Sequence, residues 1–164
     1  MELIAGDIGG TKSWLVWVDA DDGAQPPRYE KRYASADFDS GAALLARFIA
    51  EAGQPVRPDA LILALPGPLD ARRVALTNLD WTLDAAELGA ALGIPRVRFV
   101  NDFQAAAAGV ATLGAADSVT LNAGAPQADG VRAITGAGTG LGLAFMTPEE
   151  GGWRTHATEG GHVD

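Results

Sequence analysis

Apolar positions along the chain fall into short blocks whose spacing switches between two and three to four residues. Residues 2–8 (ELIAGDI) form an apolar block of strand length. Residues 13–19 (SWLVWVD) alternate, with Trp14, Val16 and Val18 on one face, and read as a second strand. Gly9-Gly10-Thr11-Lys12 joins the two, so the pair reads as a hairpin. A polar, Pro-ended loop covers 20–27, and 28–34 (RYEKRYA) reads as a third strand, at a sheet edge because of its charges. Over 40–52, Leu44, Leu45, Phe48 and Ile49 recur at helical spacing, with Ser40 placed to cap the start and Gly53 following the end. Residues 59–65 (DALILAL) read as a buried strand closed by Pro66-Gly67-Pro68, and 73–78 (RVALTN) as a further strand. A short helix is expected at 84–92, with Asp84 and Glu87 in capping-box spacing. Residues 96–101 (RVRFVN) read as a strand and 103–113 (FQAAAAGVATL) as an Ala-rich helix ending at Gly114.

Beyond this helix the pattern predicts a strand at 117–121, a Gly-rich loop at 122–130 and a hairpin over 131–147 around GAGTGLG. No internal repeat is visible. Three strands followed by alternating helices and strands predict an α/β fold with a mixed sheet. The Ala- and Gly-rich stretch near 113–130 suggests a boundary, dividing the chain into 1–113 and an incomplete second domain at 114–164.

Composition narrows the function. The 164 residues carry a formal net charge of −9, which disfavours a broad nucleic-acid-binding face, because phosphate contacts need an excess of Lys and Arg. With no Cys, disulfides, thiolate nucleophiles and Cys-ligated zinc are excluded within these residues. No apolar run reaches the roughly 18 residues of a membrane span, and the first residues lack a basic leader pattern. The expectation is a cytoplasmic protein with no membrane or nucleic-acid partner. The 21 Gly cluster at a few points, and those points carry the chemistry.

Gly6-Asp7-Ile8-Gly9-Gly10-Thr11-Lys12-Ser13 falls short of a P-loop, since Thr11 stands where Gly must precede Lys-Ser and the following residues alternate like a strand. A two-glycine hairpin turn still suits phosphate. Gly tolerates positive φ, so backbone N–H groups can converge on an anion, with Thr11 adding a hydroxyl and Lys12 a charge. Asp7 stands where it can face a phosphate-bound Mg²⁺. Alone, the turn reads first as a plain hairpin. Gly136-Ala137-Gly138-Thr139-Gly140-Leu141-Gly142 does not fit the dinucleotide fingerprint. Its alternating Gly instead leave one hairpin face bare, so that a ligand can lie against the backbone. Two such turns in one α/β chain suit a nucleotide polyphosphate held from opposite sides.

Asn101-Asp102 follows a strand and precedes a helix, the place where open sheets bind ligands. Asp102 can take a hydroxyl proton there. Spacing alone reads it as an N-cap. Glu159-Gly160-Gly161-His162 offers two directional polar groups suited to vicinal hydroxyls, although position alone reads it as a loose tail. One Glu and one His make an incomplete metal site. Asn78 is a further polar candidate, and His156 and Arg72-Arg73 read as ordinary surface residues.

Taken together these residues resemble the bacterial glucokinase family, of the sugar kinase, Hsp70 and actin superfamily. The matching segments are GDIGGTK at 6–12, ALPGPL at 64–69 with LTNLDW at 76–81, VNDF at 100–103, GAGTGLG at 136–142 and EGGHVD at 159–164. The resemblance implies a ribonuclease H-like mixed sheet, as in the actin-like ATPase domain, and the start of a second α/β domain. It implies ATP-dependent phosphorylation of D-glucose to glucose 6-phosphate, with Mg²⁺ accompanying the nucleotide. Asp102 resembles the catalytic base. Asn101, Asp102, Glu159 and His162, with Asn78, resemble sugar ligands. Gly6, Asp7, Ile8, Gly9, Gly10, Thr11 and Lys12 resemble the first ATP loop, and Gly136, Gly138, Thr139 and Gly140 the second. Closure of two domains around the sugar would exclude water.

Family chains continue past EGGHVD with an adenosine loop, a further sugar-binding Glu and a returning helix. The expectation is therefore an N-terminal portion, inactive alone, of a protein that is a homodimer when intact. Kinases of the ROK family, acting on hexoses or N-acetylmannosamine, share DIGGTK but differ at EGGH. A non-catalytic sugar-binding module is the other alternative. A sugar-responsive regulator would carry a DNA-binding module before Gly6.

Overall fold

The computed structural model describes residues 1–22, 25–67, 72–76, 78–138 and 140–162, the side chain of His162 excepted. By contacts the chain divides into two compact units, Met1–Val100 and Asn101–Asp164. The residue pattern suggested a seam after 113. The contacts instead group the Ala-rich helix with the strands that follow it.

The N-terminal unit is built on β1 (Glu2–Ile8), β2 (Lys12–Asp19), β3 (Tyr29–Ala34), α1 (Gly41–Ala52), β4 (Ala60–Leu65), β5 (Arg73–Ala75), β6 (Thr82–Asp84), α2 (Ala85–Leu92) and β7 (Arg96–Asn101). Its main sheet runs β3-β2-β1-β4-β7. β1 pairs antiparallel with β2 (Gly6 opposite Leu15, Ile8 opposite Ser13) and parallel with β4 (Gly6 opposite Leu63). β3 pairs antiparallel with β2 and lies at the edge, as its charges predicted. This is the expected ribonuclease H-like mixed sheet.

Alternation in β2 decides which face is buried. Ser13, Leu15 and Trp17 point into the core, whereas Trp14 is 41% exposed with the Arg32 guanidinium over its ring at 4.5 Å. The core joins Ile4, Ile8, Leu15, Trp17, Leu61, Leu63 and Leu65 of the sheet to Leu44, Leu45 and Phe48 of α1. Burying each of these side chains contributes about 1.5–3 kcal/mol, which is why the helical stripe settles on the sheet. Ser40 caps α1 by accepting from the Ala43 N–H at 3.1 Å, and Gly53 ends the helix in the left-handed region at φ 57°. Asp84 caps α2 by accepting from the N–H groups of Ala86 and Glu87. The strand expected over 73–78 is only three residues long, and it exists through pairing with β6, which the pattern did not reveal.

The second unit contains α3 (Asp102–Val110), β8 (Arg132–Ala137), β9 (Leu141–Glu149) and β10 (Gly152–Thr158), the strands forming an antiparallel sheet in the order β10-β9-β8. Buried Ala107, Ala144 and Met146 form its small core, with Phe103, Ile134 and Trp153 packed against them. The expected strand at 117–121 is absent. A 3-10 turn covers Ala115–Asp117, and Val119 and Leu121 are 84% and 96% exposed. Alternation gave those residues strand character, but no strand among the described residues pairs with them, and an unpaired ladder is not stable. His156, expected at the surface, is half-buried, stacked on Phe145 at 4.6 Å and hydrogen-bonded to Thr147 Oγ1 at 2.9 Å. No helix among the described residues is long and apolar enough to cross a membrane.

Candidate functional site

The first glycine turn closes the β1–β2 hairpin. Gly9 donates its N–H to the Lys12 carbonyl at 3.0 Å. Positive φ is not used: among the described residues neither Gly6, Gly9 nor Gly10 enters the left-handed region. Space is what requires Gly here, which corrects the conformational reason drawn from the sequence. A Cβ on Gly6 would collide with Leu15 Cδ2 and stand 3.0 Å from Leu63 Cδ2. One on Gly10 would stand 2.6 Å from Asn78 Cβ. Asn78 therefore packs against the turn.

Behind the turn lie two fully buried serines. Ser35 Oγ donates to the Gly9 carbonyl at 2.7 Å, Ser35 N–H to the Thr11 carbonyl at 3.0 Å, and Ser13 Oγ lies 2.9 Å from Ser35 Oγ. Each hydroxyl has one proton, so Ser13 is the donor to Ser35. The turn is thus held from inside while Asp7, Thr11 and Lys12 stand exposed. A braced turn offering a hydroxyl, an ammonium and backbone groups suits a phosphate without reorganisation.

The second turn joins β8 and β9. Gly136 and Gly142 face each other in register, and Gly138 N–H donates to the Gly140 carbonyl at 2.9 Å. The hairpin face expected to be bare is covered at its stem. A Cβ on Gly142 would fall within the Phe103 ring, and one on Gly136 would stand 3.0 Å from Phe103 Cζ. At the tip, Gly138 and Gly140 are open to solvent. Thr139 lies outside the described residues.

Asn101 and Asp102 exchange the roles that spacing suggested. Asn101 is the N-cap, at φ −64°, ψ 143°, its Oδ1 accepting from Gln104 N–H at 3.0 Å. It is 7% exposed. Asp102 is the first helical residue, half-buried, with Oδ1 accepting from Phe103 N–H at 2.8 Å. The backbone leaves the extended region one residue earlier than expected, so the amide takes the N-cap and the carboxylate, among the described residues, accepts only from Phe103 N–H at the helix end.

The EGGH segment is not a loose tail. Gly160–His162 form a 3-10 turn against β9. A Cβ on Gly161 would overlap the Leu141 carbonyl, and one on Gly160 would meet Leu143 Cδ2 at 2.9 Å. Gly160 N–H donates to Thr158 Oγ1 at 3.0 Å. Glu159 is exposed, and the His162 side chain lies outside the described residues. The second unit therefore brings together Asn101, Asp102, the glycine tip and the EGGH backbone, while the first turn and Asn78 belong to the N-terminal unit.

Sequence reasoning missed Ser13, Ser35, Phe103 and Gln104. The signals were present: a polar residue at a buried position of an alternating strand, and an aromatic ring beside an Ala-rich run. Among the described residues no three His, Asp or Glu cluster as a metal site. Grooves of the N-terminal unit, of about 370 Å³ along α2 and about 500 Å³ near Trp17, Gln54 and Arg57, contain none of the candidate residues.

Comparison with known proteins identifies the family. A family profile described as Glucokinase matches residues 4–164. A glucokinase of Nostoc sp. is 38% identical over 163 residues, covering 99% of this chain and 48% of the relative. The crystal structure of a glucokinase from an Antarctic psychrotroph superposes with a TM-score of 0.84 at 29% identity, over 99% of this chain and 51% of that one. An inorganic polyphosphate/ATP-glucomannokinase from an Arthrobacter species gives a TM-score of 0.71 at 29% identity, over 99% and 64%. The chain spans about half the length of the curated relatives it matches. Matched along nearly all of its length, the chain belongs to the glucokinase family.

Proposed function

We propose that the protein bearing this chain transfers the terminal phosphoryl group of ATP to the 6-hydroxyl of D-glucose. The observation that carries the reading is the Asp102 carboxylate, which Asn101 relieves of capping α3, in a chain matched to the glucokinase family over residues 4–164. In this reading Asp102 accepts the proton of the sugar hydroxyl as its oxygen attacks the terminal phosphorus, and ADP leaves with the electron pair of the broken P–O bond. Asn101, Glu159 and His162 hold the other sugar hydroxyls, with Asn78 beside the first turn. Residues 6–12 receive ATP phosphates through backbone groups, the Thr11 hydroxyl and the Lys12 ammonium, and Gly136, Gly138, Thr139 and Gly140 form the second cradle.

Phosphoryl transfer needs positioning and charge stabilisation more than covalent help from the protein, so a braced turn and a held carboxylate are the parts it requires. Mg²⁺ bound with ATP neutralises charge on the phosphates. A single exposed carboxylate suits an ion that keeps most of its waters, so Asp7 would hold it through water.

The test is a coupled assay on the full-length protein with glucose, mannose, fructose and N-acetylmannosamine. ATP and polyphosphate are both offered, since the Arthrobacter relative is named for both donors. Glucose with ATP is expected to be the best pair, and Asp102→Asn to lower kcat by about 10²–10⁴-fold, the usual worth of a general base. A wild-type protein that binds glucose yet phosphorylates no sugar with either donor leaves the non-catalytic binding module as the reading.

A further inference from the structure

We propose that Phe103 is a positioning residue: its ring, keyed into the slot between Gly136 and Gly142, locks the Asp102 carboxylate to the second glycine turn. The inference rests on the reading of Asp102 as the base.

Gly136 and Gly142 are opposite one another at the stem of the β8–β9 hairpin. Neither is in the left-handed region among the described residues, so backbone conformation does not call for Gly at either position. The ring of Phe103 does. A Cβ on Gly136 would come within 3.0 Å of Cζ and 3.1 Å of Cε1, and one on Gly142 would lie inside the ring. Two glycines in register thus form a slot, and an aromatic side chain from the first turn of α3 fills it.

The same residue holds the carboxylate. Phe103 N–H donates to Asp102 Oδ1 at 2.8 Å, so the orientation of Asp102 is tied to the backbone of the residue whose ring is keyed into the hairpin. Gln104 adds two ties at the same helix end. Its N–H bonds Asn101 Oδ1 at 3.0 Å, and its Nε2 donates to the Thr155 carbonyl of β10 at 3.1 Å. The rest of α3, Ala105–Ala108, Gly109 and Val110, carries no side chain larger than Val, so Phe103 and Gln104 are the long side chains that fix its rotation. Gly138 and Gly140, both exposed, each lie two residues beyond the slot. In-line transfer depends on the attacking oxygen and the phosphate being held in register, and a misplacement of about 1 Å costs about 100-fold in rate. Phe103 touches neither reactant and acts through Asp102 and the turn.

Steady-state kinetics of the full-length protein with glucose and ATP test this. Phe103→Ala is expected to lower kcat by about 100-fold with little change in the glucose KM, and Phe103→Leu to recover part of the loss. Gly136→Ala pushes on the ring. It is expected to lower kcat by a larger factor in the parent protein than once Phe103 is Leu or Ala, because the slot then has room and only the effect on the phosphate cradle is left.

Two results overturn the proposal. One is a folded Phe103→Ala protein with the parent kcat. The other is a Gly136→Ala cost of the same factor in parent and Phe103→Leu backgrounds. Coupling between the two positions in melting temperature but not in kcat would make Phe103 a packing residue only. Should Phe103→Ala not fold, the Gly136→Ala and Phe103→Leu pair decides alone. The base reading stands or falls separately: it fails if Asp102→Asn keeps the parent kcat, and the Phe103 proposal falls with it.

Discussion

Removing the hydroxyl of Ser35 tests whether the first glycine turn is braced from within. Ser35 and Ser13 are both fully buried. In Ser35→Ala the Gly9 carbonyl loses its 2.7 Å donor and the Ser13 hydroxyl loses its 2.9 Å acceptor, while the Ser35 N–H to Thr11 bond remains. A buried polar group left without a partner costs about 1–3 kcal/mol, so two stranded groups put the loss at about 2–6 kcal/mol. Ser13→Ala removes only a donor to Ser35, which keeps its bond to Gly9, and the expected cost is about 1 kcal/mol. The double variant strands only the Gly9 carbonyl. Its loss should fall short of the sum of the singles, by a coupling of about 2 kcal/mol or more. Urea denaturation of the full-length protein, followed by tryptophan fluorescence, measures all four corners of the cycle, since Trp14, Trp17 and Trp81 report on this unit. An unchanged stability in Ser35→Ala, or strictly additive losses, refutes the brace. Under the proposed function, Ser35→Ala also raises the KM for ATP more than that for glucose.

Glu51 gathers four donors, Lys31 Nζ at 2.7 Å, Tyr33 Oη at 2.7 Å, Arg47 Nε at 2.5 Å and Tyr29 Oη at 3.4 Å, and the first three hold its carboxyl down to about 2, in that order of importance. A carboxyl lowered in the folded state stabilises fully above its unfolded value, near 4.5, and less as pH falls toward about 2. Glu51→Gln is therefore expected to flatten the acid limb of a stability-versus-pH curve over that window, and an unaltered limb would disprove the assignment. Burial, and then the same carboxylate, raise the Tyr33 phenol, so its ultraviolet titration should move toward the ordinary tyrosine range in that variant. Asp84→Ala removes the cap from two N–H groups of α2 and should cost about 1 kcal/mol by denaturation, with Asp84→Asn retaining most of it.

Local features of this fold were legible because local physics produces them. The β1–β2 hairpin, the edge position of β3, α1 with its Ser40 cap and Gly53 terminus, and the buried β4 all follow from periodicity and turn chemistry within a dozen residues. Features that depend on finding a pairing partner were not legible. β6 exists by pairing with β5, and the alternating 117–121 segment stays irregular because no strand among the described residues pairs with it. The candidate residues themselves were visible as motifs, but their local roles were not. Which of Asn101 and Asp102 caps α3 depends on where the backbone turns helical, a matter of one residue that adjacent polar side chains leave undecided.

By itself, then, the sequence determined the class of fold, the two glycine turns, the polar residues near them and the family. Those are carried by residue type and by spacing along the chain. Only the tertiary structure decided why the glycines are glycines. Gly6 lies under Leu15 and Leu63, Gly10 against Asn78, Gly136 and Gly142 against Phe103, and Gly161 against the Leu141 carbonyl. A missing Cβ looks the same in the sequence whether it frees a dihedral angle or makes room for a neighbour. Here it makes room, and the neighbour that fills the space can lie 39 residues away, as Phe103 does from Gly142.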